Sequence, residues 1–318
     1  MHTKIRIFGL MFVAFVALAG CEQTAQVTSP APAPRPTGFL PVVTPRAYES
    51  RVMQDYLAKV QQGLVTQGLL RTDGGGPDVP FSRRDLVENF IRVALYDEYI
   101  YAGGRLIDRE TPSRLRRWQG PVRIAANFGS SVPVEQREKD RGDIAAYARR
   151  LGRLTRQPIS AVSADSGNPN FFVFILNEDE RRNYSEELRR TVPGLSAADA
   201  ASILEMPRST LCHVFAFSGS ASPYIYDRAV AIIRGEHPNL TRLSCIHEEL
   251  AQGLGLANDS PDARPSIFND DEEFGLLTNQ DELLLRMLYD RRLKPGMTPQ
   301  QARPIVEQIV RELLPGDA

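Results

Sequence analysis

Residues 245–258 read Cys-Ile-His-Glu-Glu-Leu-Ala-Gln-Gly-Leu-Gly-Leu-Ala-Asn. The helical spacing of the apolar residues predicts a helix over about residues 240–254 that stops at Gly255. One face carries Glu248 and Gln252 one turn apart with Cys245 beside them, so these side chains should point toward a cleft. The opposite face should pack on the core and consists of Leu243, Ile246, Leu250 and Leu254.

Strand and helix signals surround this helix. Phe171–Leu176 is a continuous apolar run typical of a buried strand, and Val122–Phe128 is a second strand. A helix is predicted over about residues 134–154 and another strand over residues 211–217. We therefore expect an α+β fold with a small mixed sheet, the motif helix and C-terminal helices, forming one domain over residues 47–318.

Helices are also predicted at both ends of this domain. The first covers about residues 48–70, and Ser82 caps a second that runs to about Tyr101. Thr298-Pro-Gln-Gln opens the last helix with a capping-box pattern. Trp118, which follows several arginines, is interpreted as part of a loop before a strand.

The N-terminus has the features of a secretory signal. Residues 1–20 contain Lys4 and Arg6 and then an apolar stretch shorter than the about 20 residues needed to span a bilayer. Leu-Ala-Gly then precedes Cys21, the pattern of a lipoprotein whose cysteine thiol receives diacylglycerol. Residues 21–46, rich in Pro, Ala and Thr, should form the lipid anchor and a disordered tether.

These features predict an envelope protein that faces the periplasm and is held to a membrane by its lipid. Glu22 after the cysteine favours the outer membrane, by resemblance to enteric sorting rules. Removing Lys4 and Arg6 with the signal lowers the net charge from −1 to −3. The chain has no basic stripe, which argues against a nucleic-acid partner. The partner classes left open are a peptide, a glycan or a protein.

Cysteine usage fits this compartment. Of the 3 cysteines, Cys21 is the lipidation site, which leaves Cys212 and Cys245. A disulfide between these two is the simplest expectation in an oxidising space. The alternative is two buried free thiols.

The motif helix resembles a metallopeptidase pattern in one register. His247-Glu248 suggests His-Glu-x-x-His, but Ala251 occupies the second ligand position. Shifted by one residue, residues 248–258 resemble the metzincin pattern His-Glu-x-x-His-x-x-Gly-x-x-His, with Glu249 at the general-base position and Gly255 at the helix end. The three zinc-ligand positions then hold Glu248, Gln252 and Asn258.

The downstream sequence extends this resemblance over about residues 120–290. Ser266-Ile267-Phe268 is similar to the methionine turn of metzincins, with Phe268 in place of Met, and Thr278 and Asp281 are similar to the closing helix. At closer range the chain resembles a family of bacterial lipoproteins classed only as a domain of unknown function, over about residues 83–303. The words that carry this resemblance are Asn89-Phe90, Trp118-x-x-Pro121-Val122, residues 245–252, Asn258-Asp259, residues 266–271 and Arg292-Leu293-x-Pro295-Gly296-Met297.

The ligand positions are poorly suited to zinc, which prefers imidazole and thiolate donors. We therefore expect no cofactor, and a hydrogen-bond network of amides and carboxylates in its place. The alternative is an oxygen-ligated Ca²⁺ or another divalent cation, with Asp259 and Asp270 near the site. His247 lies near the core-facing edge of the helix and is interpreted as a packing residue.

Three functions are compatible with these patterns. The first is a catalytically silent, metzincin-like domain that binds a partner in its cleft. The second is a metal-dependent peptidase with Glu249 as general base, which would need a metal-activated water. The third is a purely structural envelope protein.

Overall fold

A mostly parallel sheet forms the centre of the part of the chain described by the structure, which is a computed structural model covering residues 45–102, 105–269 and 271–316. The elements in chain order are α1 (Tyr48–Thr66), α2 (Arg83–Leu95), β1 (Tyr96–Ala102), β2 (Arg105–Pro112), β3 (Arg117–Trp118), β4 (Val122–Phe128), α3 (Val134–Thr155), β5 (Ile159–Ala161), β6 (Phe171–Leu176), α4 (Glu178–Arg182), α5 (Ser185–Thr191), α6 (Ala197–Leu204), β7 (Cys212–Ser218), β8 (Ile225–Arg234), α7 (Asn239–Gln252), α8 (Asn279–Leu288) and α9 (Pro299–Leu313).

The sheet has the strand order β5-β4-β6-β8-β7, and the short strand β3 pairs with the start of β8 on the edge opposite to β7. The pairs β4–β5, β4–β6, β6–β8 and β3–β8 are parallel, and β7 alone among these strands runs antiparallel to its neighbour. Ile124 pairs with Phe171, Phe171 with Ala229, and Cys212 with Ile233. The antiparallel strand β7 is thereby placed at an edge of the sheet.

Strand β6 is buried on both faces, which explains its uninterrupted apolar sequence. Phe171, Val173 and Ile175 face the larger core, which includes residues of α3, α7 and the C-terminal helices. The alternate residues Phe172 and Phe174 face a smaller core formed by residues of α5, α6 and β8. The sheet therefore separates two helical layers.

The structure refines the fold class predicted from the sequence. The chain is a mixed α/β protein with a mostly parallel sheet and several helices, rather than one with separate α and β regions. The strands Val122–Phe128 and Phe171–Leu176 have the predicted limits, and α3 and α7 begin and end within two residues of the predicted positions.

Three local predictions were wrong, the first of them the end of α1, which stops at Thr66 instead of about Leu70. The helix capped by Ser82 does form the predicted cap, a box with Asp85, but it ends at Leu95 instead of Tyr101. An antiparallel hairpin of β1 and β2 follows, because the run of aromatic and β-branched residues after Leu95 favours a strand. Trp118 lies in β3, paired with Tyr226 of β8, and is not part of a loop.

A buried ionic cluster holds the segment that leads into β7. The Glu178 carboxylate accepts hydrogen bonds from Arg181 at 3.0 Å and also from Arg234, and the side chains of all three are at most 4% exposed. Arg234 also donates to the carbonyls of Met206 at 3.1 Å and Pro207 at 2.7 Å. Each charge is thus paired inside the fold, and the segment between α6 and β7 is fixed to the end of β8.

The C-terminal end of α7 is held by side chains from distant parts of the sequence. The Trp118 indole Nε1–H donates to the Gly253 carbonyl at 2.8 Å, and the Tyr289 hydroxyl donates to the Leu254 carbonyl at 3.0 Å. Gly255 has φ +124°, and a methyl group there would overlap the Arg116 carbonyl oxygen. Because both carbonyls would otherwise be left without intrahelical partners, these contacts fix where the helix stops.

None of the described helices has the length and apolar character needed to cross a membrane.

Replacing Gly255 with alanine should destabilise the fold. The added methyl group meets the Arg116 carbonyl in a backbone conformation that L-residues rarely adopt, so the free energy of unfolding should fall by about 2–5 kcal/mol. Gly63→Ala is the matched control, since that glycine lies inside α1 with no atom near the added methyl group. It should raise stability by about 0.5–1 kcal/mol. Equal effects of the two changes in urea denaturation would contradict this view of Gly255.

Candidate functional site

Helix α7 is bound to the rest of the fold at its N-terminal half by a buried ion pair. Arg242 Nε lies 2.8 Å from Asp140 Oδ1 and 3.0 Å from Oδ2 on α3, and both side chains are at most 3% exposed. Arg242 Nη1 also donates to the His237 carbonyl just before the helix, at 2.6 Å. Arg242 therefore sets the position of α7 relative to α3 and to the turn after β8.

A disulfide joins the middle of α7 to the first residue of β7. Cys245 and Cys212 are bonded, with their Cα atoms 5.9 Å apart, which confirms the predicted pairing. Cys245 is buried and Cys212 is half-buried. The edge strand is consequently linked to the motif helix by a covalent bond.

Two acidic residues lie beside this disulfide, one turn along α7. Glu248 is half-buried and Glu249 is 2% exposed. Donor atoms of Cys212, Glu248 and Glu249 lie within 4.8 Å of one another, and Cys212 Sγ is 4.0 Å from Glu248 Oε2. A disulfide sulfur carries no proton, so this last distance is a contact and not a hydrogen bond. The structure thus brings the predicted general-base position close to the disulfide.

His247 lies on the core side of α7, as predicted for a packing residue. Its Nδ1 accepts the Leu277 backbone N–H at 3.2 Å, and its ring stacks on Tyr147 with centroids 4.0 Å apart. The Tyr147 hydroxyl donates to the His247 carbonyl at 3.0 Å. Burial, with a smaller contribution from Arg150, lowers the pKa of His247 to about 3, so the ring is neutral at pH 7.

The other two predicted ligand positions are directed to different partners. Gln252 Nε2 donates to Asp259 Oδ1 at 2.9 Å. The Asn258 side-chain amide donates to the Arg92 carbonyl at 3.1 Å, and its backbone N–H donates to the Val93 carbonyl at 3.1 Å. Asn258 is 1% exposed and so binds the C-terminal turn of α2.

This donor set does not fit a zinc ion. A zinc site in the metzincin register would use the carboxylate of Glu248 and the amides of Gln252 and Asn258, and amides are poor zinc ligands. The Asn258 amide group is in addition held against α2 by hydrogen bonds. The contacts at these positions are those of a hydrogen-bond network.

The turn at Ser266-Ile267-Phe268 is organised by one buried carboxylate. Asp281 accepts hydrogen bonds from the Ser266 hydroxyl at 2.5 Å, the Ile267 N–H at 3.0 Å and the Thr278 N–H at 2.9 Å. Burial raises the pKa of Asp281, and these hydrogen bonds act in the opposite direction. Phe268 is fully buried in the larger core. Asp281 therefore fixes this turn to the N-terminus of α8.

Several residues that position the site were not identified from the sequence. Trp118, Asp140 and Tyr147 each contact α7 or the residue after it, but each lies 100 or more residues from its hydrogen-bond partner there. In the sequence each of them is a single large or charged residue in a segment that has no recognisable motif. The predicted lipidation site Cys21 and the predicted cation-site residue Asp270 lie outside the described residues.

The fold and this site define a mixed α/β protein in which the motif helix packs beneath a mostly parallel sheet and is joined to its antiparallel edge strand. Residues 83–308 match a family described as a protein of unknown function, DUF2927, and the chain belongs to that family. The predicted family resemblance over about residues 83–303 is thereby confirmed as membership of a family of unknown function. No curated protein and no solved structure matches the chain at a significant level.

The buried, neutral state of His247 predicts a pH dependence of stability. Its pKa falls from 6.5 to about 3 on folding, so the unfolded chain binds the proton first. The contribution of His247 to the free energy of unfolding is therefore fully present above pH 6.5 and is lost as the pH falls toward 3. Between pH 7 and pH 5 its contribution to the free energy of unfolding should drop by about 2 kcal/mol.

His247→Gln should remove this dependence. In urea denaturation, the stability difference between the wild-type protein and the variant should shrink by about 2 kcal/mol from pH 7 to pH 5. His213→Gln provides an independent comparison, because burial lowers the pKa of His213 to about 4 and the same change should follow. Wild-type and variant curves that stay parallel across this range would show that folding leaves the pKa of His247 unchanged.

Proposed function

We propose that this protein is a lipid-anchored envelope protein whose metzincin-like domain binds an extended polypeptide segment without cleaving it. The observation that carries the proposal is the position of β7, an antiparallel edge strand that begins at the disulfide, where Cys212 lies close to Glu248 and Glu249. An edge strand offers backbone N–H and C=O groups to which another extended chain can add.

The surroundings of β7 suit such an addition. Among the described strands, β7 pairs only with β8, and each of its residues is half-buried. Cys212, Val214 and Ala216 pack on the side of α7, whereas Phe215 and Phe217 pack on the side of α5 and α6. The strand is thereby supported on both faces. A rigid edge binds an added strand at a lower entropic cost than a mobile one.

Charge at the site favours a basic partner. Glu248 and Glu249 bring two carboxylates to the end of β7 at Cys212. A Lys or Arg side chain of a bound segment could pair with Glu248, which is half-buried. Opposite charges at an interface contribute to specificity and to the rate of association more than to affinity. The expected partner is therefore an extended polypeptide with a basic residue at this position.

Several features support the metzincin-like interpretation. The mixed sheet, the motif helix α7, the buried turn at Ser266–Phe268 and the helix α8 follow one another in the order that the resemblance implies. Catalytic silence is supported by the ligand positions, where Gln252 and Asn258 offer amides in hydrogen bonds to neighbouring residues. A peptidase using Glu249 would need a metal-activated water, for which this donor set is poor.

The binding proposal can be tested with a short fluorescent peptide of alternating Val and Thr residues and one central Arg. Fluorescence anisotropy with the disulfide-containing full chain should show saturable binding. Glu248→Gln should weaken it about three- to tenfold, because one charge pair contributes about 1 kcal/mol. The matched control is Glu186→Gln, an exposed glutamate on α5, which should leave binding unchanged.

The backbone contribution is tested with two N-methylated versions of this peptide. One carries the methyl groups on the odd-numbered residues and the other on the even-numbered residues. One of the two methylated peptides should lose binding, because only one set of N–H groups can face β7. Equal binding of both would rule out strand addition. The result would instead establish a peptidase if the unmodified peptide were cleaved and if both Glu249→Gln and a chelator abolished that cleavage.

The lipid anchor is a separate part of the proposal and rests on the residues around Cys21. In bacteria fed an alkyne fatty acid, the wild-type protein should be labelled and recovered with membranes, and Glu22 favours the outer membrane. Cys21→Ser should abolish the label, whereas Cys212→Ser should keep it. A label that persists in Cys21→Ser would show that the thiol of Cys21 is not the acceptor.

A further inference from the structure

The disulfide and the acidic pair together contain the donor atoms of a metal site. Cys212 Sγ lies within 4.8 Å of carboxylate oxygens of Glu248 and Glu249, and Cys245 Sγ is bonded directly to it. In the disulfide both sulfurs are neutral and are weak ligands. After reduction the same positions hold two thiolates, which are the donors that zinc prefers.

We propose that reduction of the Cys212–Cys245 disulfide creates a binding site for zinc, formed by the two thiolates and the Glu248 carboxylate. Glu249 or a water molecule completes the tetrahedral set. The two oxidation states of the chain then differ in function as well as in covalent structure, because the oxidised form carries the disulfide and the reduced form binds the metal.

Reduction of the disulfide requires two electrons and two protons, and a dithiol can supply both. The dithiol gives two electrons and two protons to the S–S bond and itself becomes a disulfide, leaving Cys212 and Cys245 as thiols. Zinc then displaces the two thiol protons, which pass to solvent. Reoxidation requires the metal to leave first, since both sulfurs would be ligated. Bound zinc therefore protects the reduced form.

Zinc binding by the two cysteines would require only a small movement of their side chains. Two sulfurs at a Zn–S distance of about 2.3 Å in a tetrahedral site lie about 3.8 Å apart. The cysteine Cα atoms are 5.9 Å apart and belong to different elements, β7 and α7. Rotation of the side chains about their Cα–Cβ bonds can separate the sulfurs by this amount. The backbone of the two elements can therefore keep its position.

Charge explains why a cation would be bound. Two thiolates beside Glu248 and Glu249 bring several negative charges into a small, partly buried volume, where they repel one another. Without a metal, the thiols of the reduced protein should therefore stay protonated. A divalent cation removes the repulsion and makes deprotonation of both thiols favourable.

His237 lies near Cys245 but is not a ligand in this proposal. Its Nε2 is 3.9 Å from Cys245 Sγ and 2.9 Å from the Leu211 carbonyl oxygen. Because a carbonyl oxygen only accepts hydrogen bonds, Nε2 carries the proton and has no lone pair for a metal. Burial lowers the pKa of His237 to about 4, so the ring remains neutral behind the sulfur.

This site differs from the metzincin pattern, because Gln252 and Asn258 take no part in it. It also goes beyond the peptide-binding proposal and does not depend on it. The peptide experiments use the oxidised protein, whereas the zinc experiments compare the reduced with the oxidised form. Failure of one proposal therefore leaves the other to be judged on its own result.

The test uses the full chain carrying Cys21→Ser, so that Cys212 and Cys245 are the only remaining cysteines. Zinc is titrated against a chromophoric chelator with and without a phosphine reductant. The reduced protein should bind one zinc ion per chain, at least about 100-fold more tightly than the oxidised protein, since the thiolate ligands exist only after reduction. Co²⁺ should give a near-ultraviolet thiolate-to-cobalt charge-transfer band in the reduced protein.

The double variant Cys212→Ser/Cys245→Ser should show neither the tight binding nor the charge-transfer band. Glu248→Gln, which leaves both cysteines in place, should weaken zinc binding by the reduced protein about tenfold or more and shift the cobalt spectrum. Glu186→Gln should have no effect. Circular dichroism of each form reports whether it is folded.

Equal zinc affinity of the oxidised and reduced proteins would overturn the proposal, as would tight zinc binding by the cysteine double variant. A reduced protein that binds no zinc, whether folded or unfolded, would overturn it as well. An unchanged affinity in Glu248→Gln would remove that residue from the ligand set and with it the site as proposed.

Discussion

Helix α7 is buried around almost its whole circumference, and this burial constrains the rest of the structure. A helix with polar residues on a buried face needs a partner for each of them inside the protein. Asp140 pairs with Arg242, Tyr147 covers His247, and Trp118 binds the carbonyl at the helix end. These partners come from α3 and β3. The sheet and its helices are therefore arranged around the requirements of one polar helix.

The regular elements could be predicted from the sequence because their signals are local. Phe171–Leu176 has the continuous apolar pattern of a strand covered on both faces, and the structure places helices on both sides of it. Thr298 forms the predicted capping box, and Ser82 caps α2 as predicted. The hairpin after Leu95 was missed because a helical pattern continued into residues whose β propensity prevailed.

The contacts of the candidate site could be predicted only in part. The pairing of Cys212 with Cys245 followed from counting cysteines in an oxidising compartment, and the structure confirms it. The partner of Asn258 could not be foreseen, because its amide binds the end of α2, far away in the sequence. A motif identifies residue types at fixed spacing, whereas the direction of each side chain depends on elements that the motif does not contain.

The ionic cluster of Glu178, Arg181 and Arg234 holds the chain before β7 by its backbone. It fixes the segment before β7 through backbone carbonyls, which every residue possesses, so the side chains of that segment are not constrained by it. The outer surfaces of α5 and α6 can therefore accept substitutions while the edge strand stays in place. A lineage could in this way acquire a different recognition surface around an unchanged scaffold, through mutations that would be nearly neutral for folding.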